Sequence, residues 1–184
     1  MTRLDTPRLA VAAFLLSEAA FFGFLIAAYV YFYPASSGAA RNYLDPPRTL
    51  IFTICLLASS GTMWLAERRL SADARNGFRL LLGITIALGA IFLAGQGLEY
   101  AGLISKAVTP ERNLFGATFF TLTGFHGFHV LCGLVSLGAL LALTFHSHWG
   151  ESARRGVGAI ALYWHFVDAV WIVIFSLVYL TVWL

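Results

Sequence analysis

Residues 114–144 read "LFGATFFTLTGFHGFHVLCGLVSLGALLALT", and this stretch decides the fold class. It holds no Asp, Glu, Lys or Arg. As an α-helix rising ~1.5 Å per residue, it is long enough to cross a hydrocarbon core of ~30 Å and to tilt or protrude. Two histidines, His126 and His129, sit near its middle. Imidazole nitrogens facing lipid are unfavourable, so the face that carries them has to turn toward other helices. The run therefore predicts one transmembrane helix of a larger bundle.

The rest of the chain agrees. Of its 184 residues, 59% are apolar and only 11% are charged, against roughly 25% charged in soluble domains. Mean hydropathy is +0.79. Further apolar runs at about 9–33, 50–66, 80–98 and 157–184 give, with 114–144, five spans. The expected architecture is all-α: a polytopic five-transmembrane-helix bundle forming a single membrane domain over residues 1–184. The connections contain breakers and charge, such as "YPASSGAARNYLDPPR", "AERRLSADARNGFR", "SKAVTPERN" and "HSHWGESARRG". In the third of these Pro110 precedes helix four and Asn113 is placed to cap it. The run at 9–33 follows Arg3 and Arg8, as a secretory signal would. It is longer than the roughly 7–15 residues of a signal core and contains Glu18, so it reads as a retained helix.

A formal charge of +3 could suggest nucleic-acid binding, but the cations are scattered among short loops and form no stripe. They report topology instead. Arg3, Arg8, Arg68, Arg69, Arg75, Arg79, Arg154 and Arg155 fall on one side, against Arg41, Arg48, Lys106 and Arg112 on the other. The positive-inside rule then puts the N-terminus inside and the C-terminus outside. Cys55 and Cys132 lie in apolar runs and read as small hydrophobes. Tyr29, Tyr31, Tyr33, Tyr179 and Trp183 read as interfacial belts. So do His146 and His148, beside Trp149. Trp164 and Trp171 lie deeper, where each indole N–H needs a partner.

Glu18, Gln96, Glu99, His126, His129, His165 and Asp168 are polar residues within the spans. By helical rise, Glu18 is ~13 Å in from residue 9, and His165 and Asp168 are ~12 and ~16 Å in from residue 157. His129 is ~22 Å in from residue 114 on a helix of opposite direction. These four reach similar depths on three helices, whereas Gln96 and Glu99 lie near the outer end of helix three. His126 and His129 are spaced i,i+3, as are His165 and Asp168, and Gly124 and Gly127 leave room beside the histidines. Three readings stay open: a hydrogen-bonded interhelical network, a carboxylate–histidine metal site, and a proton or lipid-headgroup site.

Four blocks in order resemble subunit III of the haem-copper terminal oxidases: "SEAAFFGFLIAAYVYF" (17–32), "GQGLEY" (95–100), "FGATFFTLTGFHGFHVLCG" (115–133) and "YWHFVDAVWIVIFSLVY" (163–179). The five spans are similar to the short bacterial form of a family that commonly has seven. The resemblance implies a non-catalytic subunit of a proton-pumping oxygen reductase (a cytochrome c or quinol oxidase) in aerobic respiration. It implies docking on subunit I, beside subunit II and a small subunit IV, in a bacterial inner membrane. Haem and copper are then held by the partner subunits, with no metal ligands in this chain. Structural phospholipid sits between helices, near Glu18. His126, His129, Trp164, His165 and Asp168 match further positions of the family's motifs. The implied role is support of proton uptake into subunit I and of its stability during turnover. With the resemblance, His126 and His129 are expected to join Glu18 and Asp168 in one polar network. An accessory subunit of a nitric oxide reductase and an independent membrane metalloenzyme are the alternatives. The electron donor is not written in this chain, because its site would lie on other subunits.

Overall fold

The computed structural model describes residues 6–72, 74–145 and 151–181, with side chains over 10–34, 43–72, 74–145 and 156–181. Arg3, Arg8, Arg41, Asp73, His146, His148, Trp149, Glu151, Arg154, Arg155 and Trp183 lie outside the described side chains. Among the described residues there are five α-helices: α1 (Thr6–Tyr43), α2 (Pro46–Ser71), α3 (Arg75–Ser105), α4 (Leu114–Leu143) and α5 (Glu151–Phe175). A π turn, Ser176–Leu180, extends α5. All five are long and apolar enough to cross a membrane.

The helices outrun the apolar runs that predict them. An apolar window measures the lipid-facing length, while a helix continues until its backbone meets a breaker or a cap. α1 carries on past Pro34 to Tyr43, where the sequence suggested a loop. A proline removes one i→i−4 bond, which kinks a helix but need not end it. After a break of two residues α2 begins with Pro46 at its first position, where the missing N–H is no loss. The Asp45 side chain accepts from the Arg48 N–H at 3.3 Å. The cap expected at Asn113 is present, its Oδ1 accepting from the Gly116 N–H at 2.5 Å. At the far end of α4, the Arg79 guanidinium donates through Nε to Thr144 Oγ1 at 3.1 Å and through its other arm to the Thr144 carbonyl. It also lies over the Phe145 ring. A cation thus serves the negative end of the helix dipole.

The end of α3 is a Schellman turn. The Val108 N–H donates to the Leu103 carbonyl at 3.0 Å and the Ala107 N–H to Ile104 at 2.9 Å. Val108 and Leu103 are both buried, the apolar contact such turns favour. The position that must be left-handed is Ala107, with φ 59°, and a Cβ is strained there. Ala107→Gly is therefore expected to raise stability by about 0.5–1 kcal/mol. Denaturant midpoints in detergent would measure it, and a lower midpoint would contradict this account of the turn.

α2, α3, α4 and α5 close into a four-helix body in which α2 packs on α3 and α5, and α4 packs on the same two. α1 lies outside the body against α4 and α5. Its inner stripe, Val11, Leu15, Glu18, Phe22, Leu25 and Tyr29, recurs every three to four residues, the helical period. Phe14, Leu16, Phe24 and Tyr31 remain exposed on its other sides.

Trp164 is the centre of the body. Its indole N–H donates to Ser59 Oγ of α2 at 3.0 Å. A Cβ built on Gly89 of α3 would lie 2.7 Å from one edge of the ring, and a Cβ on Gly133 of α4 also 2.7 Å from it. The indole is therefore slotted between two glycines, and four helices meet at one side chain. Gly124 and Gly127, which the sequence suggested as the close approaches, have only ordinary contacts.

Candidate functional site

The polar residues of the spans fall into three groups, and α5 and α2 position two of them. Trp164 and Trp171 are seven residues apart, so they share a face of α5. Trp171 donates to Thr53 Oγ1 of α2 at 3.0 Å. Tyr179 comes eight residues after Trp171, which in a pure α-helix would swing it about 80° off that face. The wider π turn absorbs the extra residue. Tyr179 is accordingly buried and donates to Glu99 Oε2 at 2.7 Å, while Thr49 Oγ1 donates to Glu99 Oε1 at 3.2 Å. Tyr179 is thus a core residue and not part of an interfacial belt. Tyr29 is buried as well, while Tyr31 is exposed. Gln96 is buried one turn before Tyr100, whose hydroxyl pairs with Thr123 Oγ1 at 2.8 Å.

The second group is built on α5 and α2. Ser60 Oγ donates to Asp168 Oδ2 and lies 2.9 Å from His165 Nδ1. One hydroxyl thus bridges the i,i+3 pair. Asp168 is buried, and its Oδ1 has no hydrogen-bond partner among the described residues.

The third group joins α1 to the body. His129 Nε2 lies 2.9 Å from Glu18 Oε2, and His129 Nδ1 lies 2.7 Å from the Phe125 carbonyl. A carbonyl only accepts, so Nδ1 carries hydrogen. One further proton must then sit between Nε2 and Oε2. Whether it rides on nitrogen or on oxygen, the pair is neutral as a whole, which suits a low-dielectric interior. Tyr163 of α5 donates to the His129 carbonyl at 3.0 Å, and the Glu18 and His129 side chains keep 19% and 12% of their surface exposed. The pair is shielded without being sealed.

His126 stands apart from all three. Although it shares a helix with His129, the turn between them aims it into the body. It is fully buried and stacks on Trp171 with centroids 4.8 Å apart, edge-on to Phe92 and Phe22. Neither of its ring nitrogens has a hydrogen-bond partner among the described residues. The structure thus brings Glu18 to His129, and His165 to Asp168, but does not bring these pairs or His126 into one network. Among the described residues no three His, Cys, Asp or Glu side chains converge in a way that could hold a metal ion. Sequence reasoning missed the α2 hydroxyls that complete the groups: Thr49, Thr53, Ser59 and Ser60. Their spacing of about one or two helical turns on an apolar helix was the available signal.

Comparison with known proteins matches the family described as "Cytochrome c oxidase subunit III" to residues 5–183. Cytochrome c oxidase subunit 3 of Synechocystis is 38% identical over 96% of this chain and 76% of its own length. The subunit 3 of Corynebacterium diphtheriae is 32% identical over 97% of this chain and 90% of its own. Cytochrome bo(3) ubiquinol oxidase subunit 3 of Pseudomonas aeruginosa is 32% identical over 91% and 81%.

Proposed function

The chain belongs to the cytochrome c oxidase subunit III family, and from that premise we propose how it serves its complex. As a multi-pass protein of the bacterial inner membrane, it is subunit III of a cytochrome c or ubiquinol oxidase. In our reading it binds no haem or copper, docks on catalytic subunit I beside subunit II and a small subunit IV, and lies with its N-terminus inside. It supports proton uptake into subunit I and preserves that subunit through turnover, with phospholipid held against α1.

The observation that carries this reading is the Glu18–His129 pair. It is a partly exposed, net-neutral pair holding one transferable proton. It ties the outlying helix to the body, and apolar exposed residues of α1, Phe14 and Phe24 among them, offer acyl-chain chemistry nearby. Moving α1 would therefore change a polar group, a lipid-facing surface and the outline of the bundle together.

The test uses the purified oxidase with and without this chain. The stripped form should begin turnover more slowly, because proton uptake into subunit I is no longer supported. The stripped form should then lose activity progressively under sustained turnover, while the complete form holds. Equal endurance would remove the protective role. Haem and copper should stay with the stripped partners, whereas metal retained by this chain would overturn the assignment of cofactors.

A further inference from the structure

A second polar site lies at the other side of the body, where the start of α2 meets the end of α3. A cavity of about 110 Å³ is lined there by Asp45, Arg48, Thr49, Glu99, Gly102 and Lys106. Phe52, Leu98 and Leu103 supply apolar wall. Arg48 and Lys106 are cationic and exposed on the rim, and Asp45 on the rim is anionic. Glu99 lies deeper, ~9 Å inside the end of α3 at Ser105 by helical rise. Its Oε2 accepts the Tyr179 hydroxyl hydrogen, and its Oε1 shares the single Thr49 hydroxyl hydrogen with the Asp45 carbonyl. A carboxylate has about four acceptor sites, so two remain for a ligand.

We propose that this cavity binds the phosphoethanolamine headgroup of a membrane phospholipid. The primary ammonium enters to Glu99, and Arg48 and Lys106 take the phosphate on the rim. Two cations against two carboxylates make the lining neutral at full ionisation, which suits a zwitterion better than an anionic lipid. The position fits as well, because α2 begins its span at Pro46 and α3 ends its span at Ser105, at the level where headgroups lie. Exposed Ile51 and Leu98 beside the cavity give the acyl chains a path along the helices. Three N–H donors on a primary ammonium can meet the free acceptor sites, whereas a trimethylated ammonium offers charge alone. The site does not depend on the Glu18–His129 pair, which joins different helices.

Gly102 gives a clean test. A Cβ there meets nothing within 4 Å, so Gly102→Leu starts from open space on the cavity lining, adds bulk there and improves helix propensity. The intact oxidase would be exchanged into nanodiscs of equal phosphatidylethanolamine, phosphatidylcholine and phosphatidylglycerol, then washed in mild detergent. Lipids retained on this chain would be counted by native mass spectrometry. Wild type should retain phosphatidylethanolamine over the other two by about tenfold, the effect of one charge-assisted hydrogen bond. Gly102→Leu and Glu99→Gln should each abolish the preference, with Gly102→Leu no lower than wild type in melting temperature. Equal retention of the three lipids, or a preference that survives Gly102→Leu, would overturn the proposal. So would displacement by water-soluble glycerophosphoethanolamine at equal concentration, which would reassign the cavity to a soluble amine.

Discussion

Trp164→Ala is expected to destabilise the chain by about 3–5 kcal/mol, the range for deleting a fully buried large aromatic side chain. Three losses coincide at this position. The indole is completely buried, its N–H bond to Ser59 disappears, and the slot between Gly89 and Gly133 empties. Unfolding of the detergent-solubilised chain with increasing denaturing detergent, followed by circular dichroism, would measure the change. A loss below ~1 kcal/mol would mean that the slot collapses without consequence and that Trp164 is not where the four helices are joined.

The glycines make the same claim from the other side. Gly133→Val places a Cβ about where the indole edge already is, and overpacking of this kind costs typically about 1–3 kcal/mol. The two changes should not add. Once Trp164 is alanine, Gly133→Val has space to occupy, so the double variant should be less destabilised than the sum of the single ones. Simple additivity would show that each acts locally. The coupling also matters beyond stability, because Trp164 is flanked by Tyr163, which holds the His129 carbonyl, and by His165, which meets Ser60. A loosened slot would disturb both polar pairs together.

Legibility in the sequence followed the strength of the physical constraint. Five spans were readable because lipid permits few alternatives to a long apolar helix. Their ends were less readable, since the continuation of α3 through Glu99 and of α1 past Pro34 depends on local backbone bonding that hydropathy does not register. Depth arithmetic placed Glu18 near His129, because rise per residue is fixed. It could not distinguish His129 from His126, whose separation depends on rotation by part of a turn. Glycines carried no label either. Gly89 and Gly133 receive the indole while Gly124 and Gly127 do not, and nothing in the composition around them tells these pairs apart. The π turn was hidden for the same reason. Only the eight-residue step from Trp171 to Tyr179 hints at it, and that step has meaning once Glu99 is known to be waiting.

Glu18→Ala and Glu18→Gln should separate what holds α1 from what moves a proton. Alanine leaves His129 Nε2 without its partner, and α1 loses its tie to α4. Breaking a sealed ion pair would cost about 3–5 kcal/mol. This pair is partly exposed, and the unfolded chain in a membrane finds substitute partners, so a loss of about 1–2 kcal/mol is expected. Glutamine should restore most of it. Its amide N–H can donate to Nε2 while Nδ1–H keeps the Phe125 carbonyl, so the geometry survives with both groups neutral. What glutamine cannot do is release a proton. In the assembled oxidase, Glu18→Gln should therefore match wild type in subunit retention and thermal stability while turnover-linked proton uptake slows. Full uptake with glutamine would make the pair a structural clasp alone. Loss of the subunit with glutamine as with alanine would instead show that α1 is held by charge, with the proton on the imidazole.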